Sequence, residues 1–131
     1  MKVWDLHCDT LSELRRAEKN GTPASFAHNA LHIDLEKLQA GDYMLQCLAA
    51  FVNLADPTPG ADPLVTALEE IDVFKRIMAK YPDRIAPVYT AADIRKNAKP
   101  ERSAACSPWR RAAAARAAWA CCAGCMSWAC A

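Results

Sequence analysis

Apolar and polar residues occur in blocks along the first hundred positions, and each block fits a short strand or a helix. Residues 2–8 and 84–89 are short runs that favour strands, and residues 42–52 form a longer apolar run typical of a buried strand. A long helix is predicted from residue 63, because apolar residues then recur at spacings of three and four. These apolar residues are Leu64, Leu68, Ile71, Phe74 and Met78.

Capping residues predict where the helices begin and end. Thr10, with Glu13 three positions later, has the pattern of a capping box for a helix after the first strand, and Gly21 supplies a left-handed stop. Asp34 begins a second, short helix. Asp62, followed by a proline, is a typical start for the long helix. A further short helix is predicted after the third strand.

The resulting order is strand, helix, helix, strand, helix, strand, helix. Alternation of this kind predicts an α/β protein with a parallel sheet. A (β/α)₈ barrel takes about 250 residues, whereas this chain has 131. If these units belong to a TIM barrel, we therefore expect its N-terminal portion only, left incomplete.

Composition divides the chain near residue 100. Residues 1–100 carry 12 Lys and Arg against 14 Asp and Glu, whereas residues 101–131 carry four Arg against one Glu. Those last residues also contain twelve Ala, five of the seven Cys and three of the four Trp, with no Leu, Ile or Val. We therefore predict βα units over 1–100 and a poorly ordered tail over 101–131 that cannot form an ordinary core.

The overall charge excludes some classes of partner. The net charge is +1, which gives no electrostatic reason to expect nucleic acid or an anionic membrane surface. No apolar run reaches the roughly 18 residues that a spanning helix needs. Asp5 also stands where a signal peptide would have its apolar core. The expected location is the cytoplasm.

His7 and Asp9 are the candidate metal ligands. They follow each other at alternate positions near the end of the first predicted strand, so the imidazole and the carboxylate project to the same side. Such a pair suits Zn²⁺, and strand ends of this kind hold the active sites of α/β barrels. The simpler interpretation is a histidine at a strand end that hydrogen bonds to a neighbouring aspartate.

The segments around this pair resemble the membrane (renal) dipeptidase family of zinc metallopeptidases. The family begins with a strand that ends Asp-x-His-x-Asp, matched by Asp5, His7 and Asp9. Its second strand has a glutamine before an apolar and aromatic run, matched by Gln46 and Phe51. Between them, an (Ile/Val)-Asp-Leu-x-(Arg/Lys)-Leu-x-x-Gly element is matched by Ile33, Asp34, Leu35, Lys37, Leu38 and Gly41.

The resemblance covers about residues 1–100, roughly a third of a family domain, and implies an amidohydrolase-like (β/α)₈ barrel that hydrolyses dipeptides with a metal-activated water. It further implies that His7 and Asp9 bind one zinc of a pair. The family's bridging glutamate and later histidines are missing from residues 101–131, where Glu101 is the one carboxylate side chain. We therefore expect at most one weak zinc site and no appreciable dipeptidase activity. Nothing in the sequence indicates an oligomeric state.

The tail composition suggests a change of reading frame. Bulk alanine, arginine, cysteine and tryptophan are typical of GC-rich coding sequence read out of register. Residues 106–112 are compatible with codons that, read from the third base of the Cys106 codon, encode Leu-Thr-Val-Glu-Glu-Gly. That stretch resembles the family's bridging-glutamate motif. Our hypothesis is a frameshift near residue 101.

Other interpretations remain open at this point. The chain could be a non-catalytic small α/β protein that self-associates through a genuine tail. Separately, Cys122 and Cys125 form a Cys-x-x-Cys pair that could be half of a zinc site or a redox motif, although neither context is present. His28 and His32 have a spacing that would suit a metal on a helix, although surface or hydrogen-bonded histidines are favoured. Gln46 either approaches the active site or makes a buried hydrogen bond.

An acidic run lies on the long predicted helix. It comprises Glu69, Glu70 and Asp72. The ordinary explanation for such a run is a solvated outer face, and we expect these three side chains to be exposed.

Overall fold

The computed structural model describes residues 1–52 and 62–97 together with the backbone of residues 103–106. Within them the chain forms four strands and four helices. The seven predicted elements occur in the predicted order, and a fourth strand follows them. The elements are β1 (Val3–Cys8), α1 (Thr10–Lys19), α2 (Leu35–Ala40), β2 (Tyr43–Leu48), α3 (Pro63–Lys80), β3 (Ile85–Val88), α4 (Ala91–Asn97) and β4 (Ser103–Cys106).

Two of the predicted helix starts are confirmed. The Asp34 carboxylate accepts a hydrogen bond from the Lys37 N–H at the start of α2. The Asp62 carboxylate accepts from the N–H groups of Leu64 and Val65 at the start of α3. Each carboxylate satisfies backbone donors that the first helical turn leaves without a partner.

The capping box predicted for α1 is wrong. Asp9 is the residue that precedes the helix, and no side chain caps it. Thr10 is already helical, and its hydroxyl lies 3.0 Å from the Cys8 sulfur. Glu13 pairs instead with Arg16, one turn along the same helix. The helix therefore begins one residue earlier than the capping-box pattern indicates.

The four strands form one parallel sheet in the order β1-β2-β4-β3. The predicted α/β class with a parallel sheet is confirmed. A barrel places its strands in sequential order, whereas here β4 lies between β2 and β3. Over the described residues the sheet is therefore open, with β1 and β3 at its edges.

The helices cover both faces of this sheet. Ile94 of α4 packs against Leu45 and Val88, whereas Leu48, three positions from Leu45, faces the larger cluster on the other side. The chain moves from β2 past the position of β4 to β3 and then returns to β4. Right-handed crossovers in opposite directions place their helices on opposite faces, so α4 lies on the face opposite α1 and α3. The larger cluster consists of Leu11, Leu14, Phe26, Ile33, Leu35, Leu38, Leu48, Val73, Phe74, Ile77, Met78 and Ile85.

The apolar stripe predicted on α3 is buried over its second half only. Ile71, Phe74 and Met78 lie in the core, whereas Leu64 and Leu68 remain 67% and 46% exposed. α1 reaches this first part of the helix at Thr66, which is buried and accepts a hydrogen bond from Arg15, but it leaves Leu64 and Leu68 uncovered. None of the helices in the described ranges is long and apolar enough to cross a membrane.

The sheet includes four residues that the sequence analysis assigned to the tail. In β4, Ala104 is in register with Leu45 of β2 and with Ala86 of β3. β4 therefore has a parallel neighbour on each side and is the third strand across the sheet. Residues 107–131, which include Cys122 and Cys125, lie outside the described residues, and the predictions about the tail's order and pairing stay predictions.

Candidate metal centre

The carboxyl ends of β1 and β2 meet at one edge of the sheet. The Ala49 N–H, directly after β2, donates to the carbonyl of Cys8, the last residue of β1, at 2.9 Å. Asp9 follows at once and precedes α1. Because ligands of parallel α/β proteins bind outside the carboxyl ends of the strands, this edge is the expected place for a site.

His7 and Asp9 lie together at this edge. The His7 Nε2 is 2.9 Å from the Asp9 Oδ1, and the two side chains are 45% and 49% exposed. The neighbouring Asp5 accepts a hydrogen bond from the His7 backbone N–H at 3.1 Å. The predicted common orientation is confirmed, and both groups are open to solvent. That they bind a metal stays a prediction.

The donor atoms of this pair suit a zinc ion. Imidazole nitrogen and carboxylate oxygen bind Zn²⁺ at about 2.0–2.2 Å, so one ion can join donors separated by up to about 4 Å. The 2.9 Å between His7 Nε2 and Asp9 Oδ1 falls within that limit. The described part of the chain contains no group of three His, Cys, Asp or Glu residues that could hold a metal. Two protein ligands are fewer than a typical zinc site uses.

Phe51 supplies an apolar wall beside the imidazole. Its ring centroid lies 6.5 Å from that of His7, and the two rings are inclined at 78°, an edge-to-face arrangement. Phe51 lies three residues beyond the end of β2, and about half of it is exposed. Phe51 was identified in the sequence through the dipeptidase motif, but its contact with His7 was not predicted.

The Phe51 backbone is held by two side chains from the helices. The Ser12 hydroxyl, in the first turn of α1, donates to the Phe51 carbonyl at 3.2 Å. Glu70 of α3 is only 1% exposed, and the Phe51 N–H and the Ser12 hydroxyl lie within hydrogen-bonding reach of its carboxyl group. The prediction of a solvated Glu70 is therefore wrong.

Burial changes the proton affinity of Glu70. Loss of water around the carboxyl raises its pKa to about 7, and this effect exceeds the opposing hydrogen bonds from Ser12 and Phe51 and the charge of Arg15. The Asp9 carboxylate raises the pKa slightly further. A periodic signal could have identified this residue, because Glu70 stands four positions before Phe74 and seven before Ile77, on the buried side of α3.

Of the other acidic residues of this run, Asp72 is exposed as predicted, whereas Glu69 is only partly exposed. Glu69 pairs with Arg15 and Lys19 of α1 at the protein surface. Asp72 pairs with Arg76 one turn later and is well exposed. The acidic run therefore consists of two surface residues and one buried one.

The remaining candidate residues lie away from the site or are committed elsewhere. His28 is exposed and pairs with Glu36 at 2.8 Å, as a hydrogen-bonded surface histidine would, and His32 is exposed. Gln46 is fully buried, and its amide donates to the Cys47 carbonyl at 3.2 Å. Of the two interpretations of Gln46, the structure supports the buried hydrogen bond.

The chain matches the model of a known protein family. Residues 1–108 match the family model described as membrane dipeptidase (Peptidase family M19). The matched range covers all eight described elements, from β1 to β4, and therefore the edge with His7 and Asp9. No curated protein matches the chain.

Proposed function

The chain belongs to the membrane dipeptidase family, peptidase family M19, and from this premise we propose that it descends from a zinc-dependent dipeptidase. His7 and Asp9 bind one of that enzyme's two zinc ions. The substrate class is dipeptides, and the reaction is hydrolysis of their peptide bond.

One observation carries this proposal. The His7 imidazole and the Asp9 carboxylate are 2.9 Å apart and half exposed, at the strand edge where the sheet's other carboxyl ends also lie. About half of each side chain is exposed, so a metal ion can reach the pair.

The residues of the chain prepare the site in different ways. His7 Nε2 and Asp9 Oδ1 are the donors, and Asp5 fixes the backbone at His7 through the hydrogen bond to its N–H. The Phe51 ring limits the orientations of the imidazole from one side. When bound, zinc supplies a Lewis acid for the peptide carbonyl and lowers the pKa of a bound water.

We further propose that the reading frame changes near residue 101 or shortly after it. The support is twofold: β4 pairs with both neighbours up to Cys106, and the family match ends two residues later. Residues 106–112 are also compatible with codons that encode Leu-Thr-Val-Glu-Glu-Gly in another frame. Sequencing the locus tests the proposal, and a downstream alternative frame without histidine-bearing dipeptidase sequence would exclude it.

The 131-residue chain is therefore proposed to bind zinc weakly and to lack dipeptidase activity. Titration of Zn²⁺ into the purified chain tests the binding. We expect H7A and D9N to weaken it at least tenfold, and H28A, which removes a surface histidine also paired with a carboxylate, to leave it unchanged. Equal losses in H7A and H28A would contradict the assignment. Zinc-dependent hydrolysis of a dipeptide by the purified chain would contradict the proposed inactivity.

A further inference from the structure

We propose that Glu70 and Ser12 are positioning residues that hold the Phe51 backbone and thereby place the Phe51 ring against His7. We call this arrangement of Glu70, Ser12 and Phe51 the Phe51 clamp. It rests on the proposed function, because it acts on the same imidazole. The closing experiment is carried out without zinc, so that the two proposals can fail separately.

The Phe51 clamp joins three elements at the carboxyl edge of the sheet. Ser12 comes from the first turn of α1, and its own N–H donates to the Asp9 carbonyl at 3.0 Å. Glu70 comes from α3, and Phe51 from the segment after β2. The first turn of α1, which follows Asp9, is therefore linked through Ser12 to Phe51, whose ring lies beside the imidazole.

Both polar groups of the Phe51 backbone are engaged. Its carbonyl accepts from the Ser12 hydroxyl at 3.2 Å, and its N–H lies in hydrogen-bonding reach of the Glu70 carboxyl. A residue held through both groups has little freedom to rotate about its backbone. Its half-exposed ring therefore has a defined position even though solvent surrounds one side of it.

The burial of Glu70 is not explained by packing alone. An apolar residue would fill the same place without desolvating a carboxyl group. One carboxyl oxygen, Oε2, is buried and has no hydrogen-bond partner among the described residues. A buried carboxyl oxygen without a partner lowers the stability of the fold, so we infer that the other contacts of Glu70 have a function. Among the described residues, the donors in reach of the Glu70 carboxyl are the Phe51 N–H and the Ser12 hydroxyl.

The protonation of Glu70 controls how the Ser12 hydroxyl is used. That hydroxyl has one proton to donate and two acceptors within reach, the Phe51 carbonyl and the Glu70 carboxyl. A neutral Glu70 leaves the proton to Phe51, whereas an ionised Glu70 attracts it. The charged groups that face Glu70 are Arg15 of α1 and Asp9 directly before it, which act in opposite directions. As Glu70 ionises, the Ser12 bond to the Phe51 carbonyl therefore weakens, whereas the carboxylate accepts from the Phe51 N–H more strongly.

The test measures the NMR chemical shifts of the His7 ring protons in the metal-free chain. Substitution F51A defines the complete loss of the ring contact. We expect E70A and S12A each to reproduce more than half of the F51A shift. Below about pH 6, where Glu70 is protonated, E70Q keeps an uncharged group of the same shape and should leave the His7 resonances within a tenth of that shift. S25A removes a hydroxyl that contacts Tyr81 elsewhere and should do the same.

Two results would overturn the proposal. One is a folded S12A chain with wild-type His7 resonances, and this variant decides the matter if E70A does not fold. The other is an E70Q chain that behaves as F51A does. A further readout is the Phe51 amide resonance, which should follow pH in the wild-type chain and lose that dependence in E70Q. A dependence that persists in E70Q would equally contradict the role of Glu70.

Discussion

Two buried carboxylates, Asp34 and Glu70, have opposite proton affinities in this fold. Asp34 is fully buried, yet the pKa of its carboxyl is lowered to about 2. Burial alone would raise the pKa, but hydrogen bonds from the Lys37 ammonium and from two backbone N–H groups outweigh it. Glu70 is buried to nearly the same extent, and its pKa is raised to about 7. For Glu70 the loss of water dominates, whereas for Asp34 the charged and backbone donors outweigh it.

The two regions have correspondingly different purposes. Around Asp34, the Lys37 ammonium also donates to the carbonyls of Asn29 and Leu31 at 2.7 Å, so one ion pair fixes the loop before α2. Around Glu70, the carboxyl group and the Ser12 hydroxyl hold a single residue, Phe51, next to the candidate metal ligands. We infer that the first region stabilises the fold and that the second adjusts the site.

The largest expected effect comes from removing the Asp34 carboxylate. D34A leaves the N–H groups of Lys37 and Asn29 without their acceptor and should lower the free energy of unfolding by about 3 kcal/mol. Urea denaturation measures it. The control is D72N on an exposed ion pair, for which we expect less than about 1 kcal/mol. Similar losses in both variants would remove the distinction between the regions.

The next effect is a decline of stability with rising pH that originates at Glu70. The folded state holds the proton up to about pH 7 and the unfolded state only to about 4.5, so the folded chain binds more protons between these values. The contribution is complete below pH 4.5 and should fall by about 3 kcal/mol as the pH rises through 7. E70Q should lack this decline in denaturation measured across that range. An unchanged profile would show that Glu70 is ionised at neutral pH.

Asp34 should show the opposite dependence at lower pH. Its folded pKa lies below that of the unfolded chain, so its contribution is present above about pH 4 and is lost as the pH falls through about 2. The shift corresponds to about 2 kcal/mol. The difference between the wild-type chain and D34N, measured from pH 5 downward, should therefore shrink. A difference that grows with acidity would contradict the assigned ion pair.

The smallest effect is expected at Glu69, the direct neighbour of Glu70. Its pairs with Lys19 and Arg15 lower the pKa of its carboxyl, but they lie at the surface. E69Q should change the free energy of unfolding by less than about 1 kcal/mol, and increasing salt should reduce that change. A larger effect of E69Q than of E70A in urea denaturation would reverse the expected order of the two residues.

Much of the fold follows from local patterns in the sequence. The caps at Asp34 and Asp62 and the parallel α/β arrangement were predicted correctly, because each depends on residues close together in the chain. The proximity of His7 and Asp9 was also predicted, although from strand alternation, whereas Asp9 lies just beyond β1 at the turn into α1. The strand order could not be predicted, since the position of β4 between β2 and β3 depends on contacts between distant segments.

Glu70 shows why the rest could not be predicted. An acidic run on a helix is normally exposed, and only the packing of α1 and of the segment after β2 against α3 buries this one member. The same limit applies to the cap of α1. Thr10 has the expected residue type, but the helix begins at that residue because the chain already turns at Asp9.

The hydrogen bond from the His7 N–H to the Asp5 carboxylate also protects the edge of the sheet at β1. β1 is an outer strand, and its backbone groups that point away from β2 could pair with a strand of another molecule. Asp5 occupies one of these donors with a carboxylate and places a negative charge beside it. Growth of fibrils by strand addition at β1 is therefore opposed at the very residue that is proposed to bind zinc.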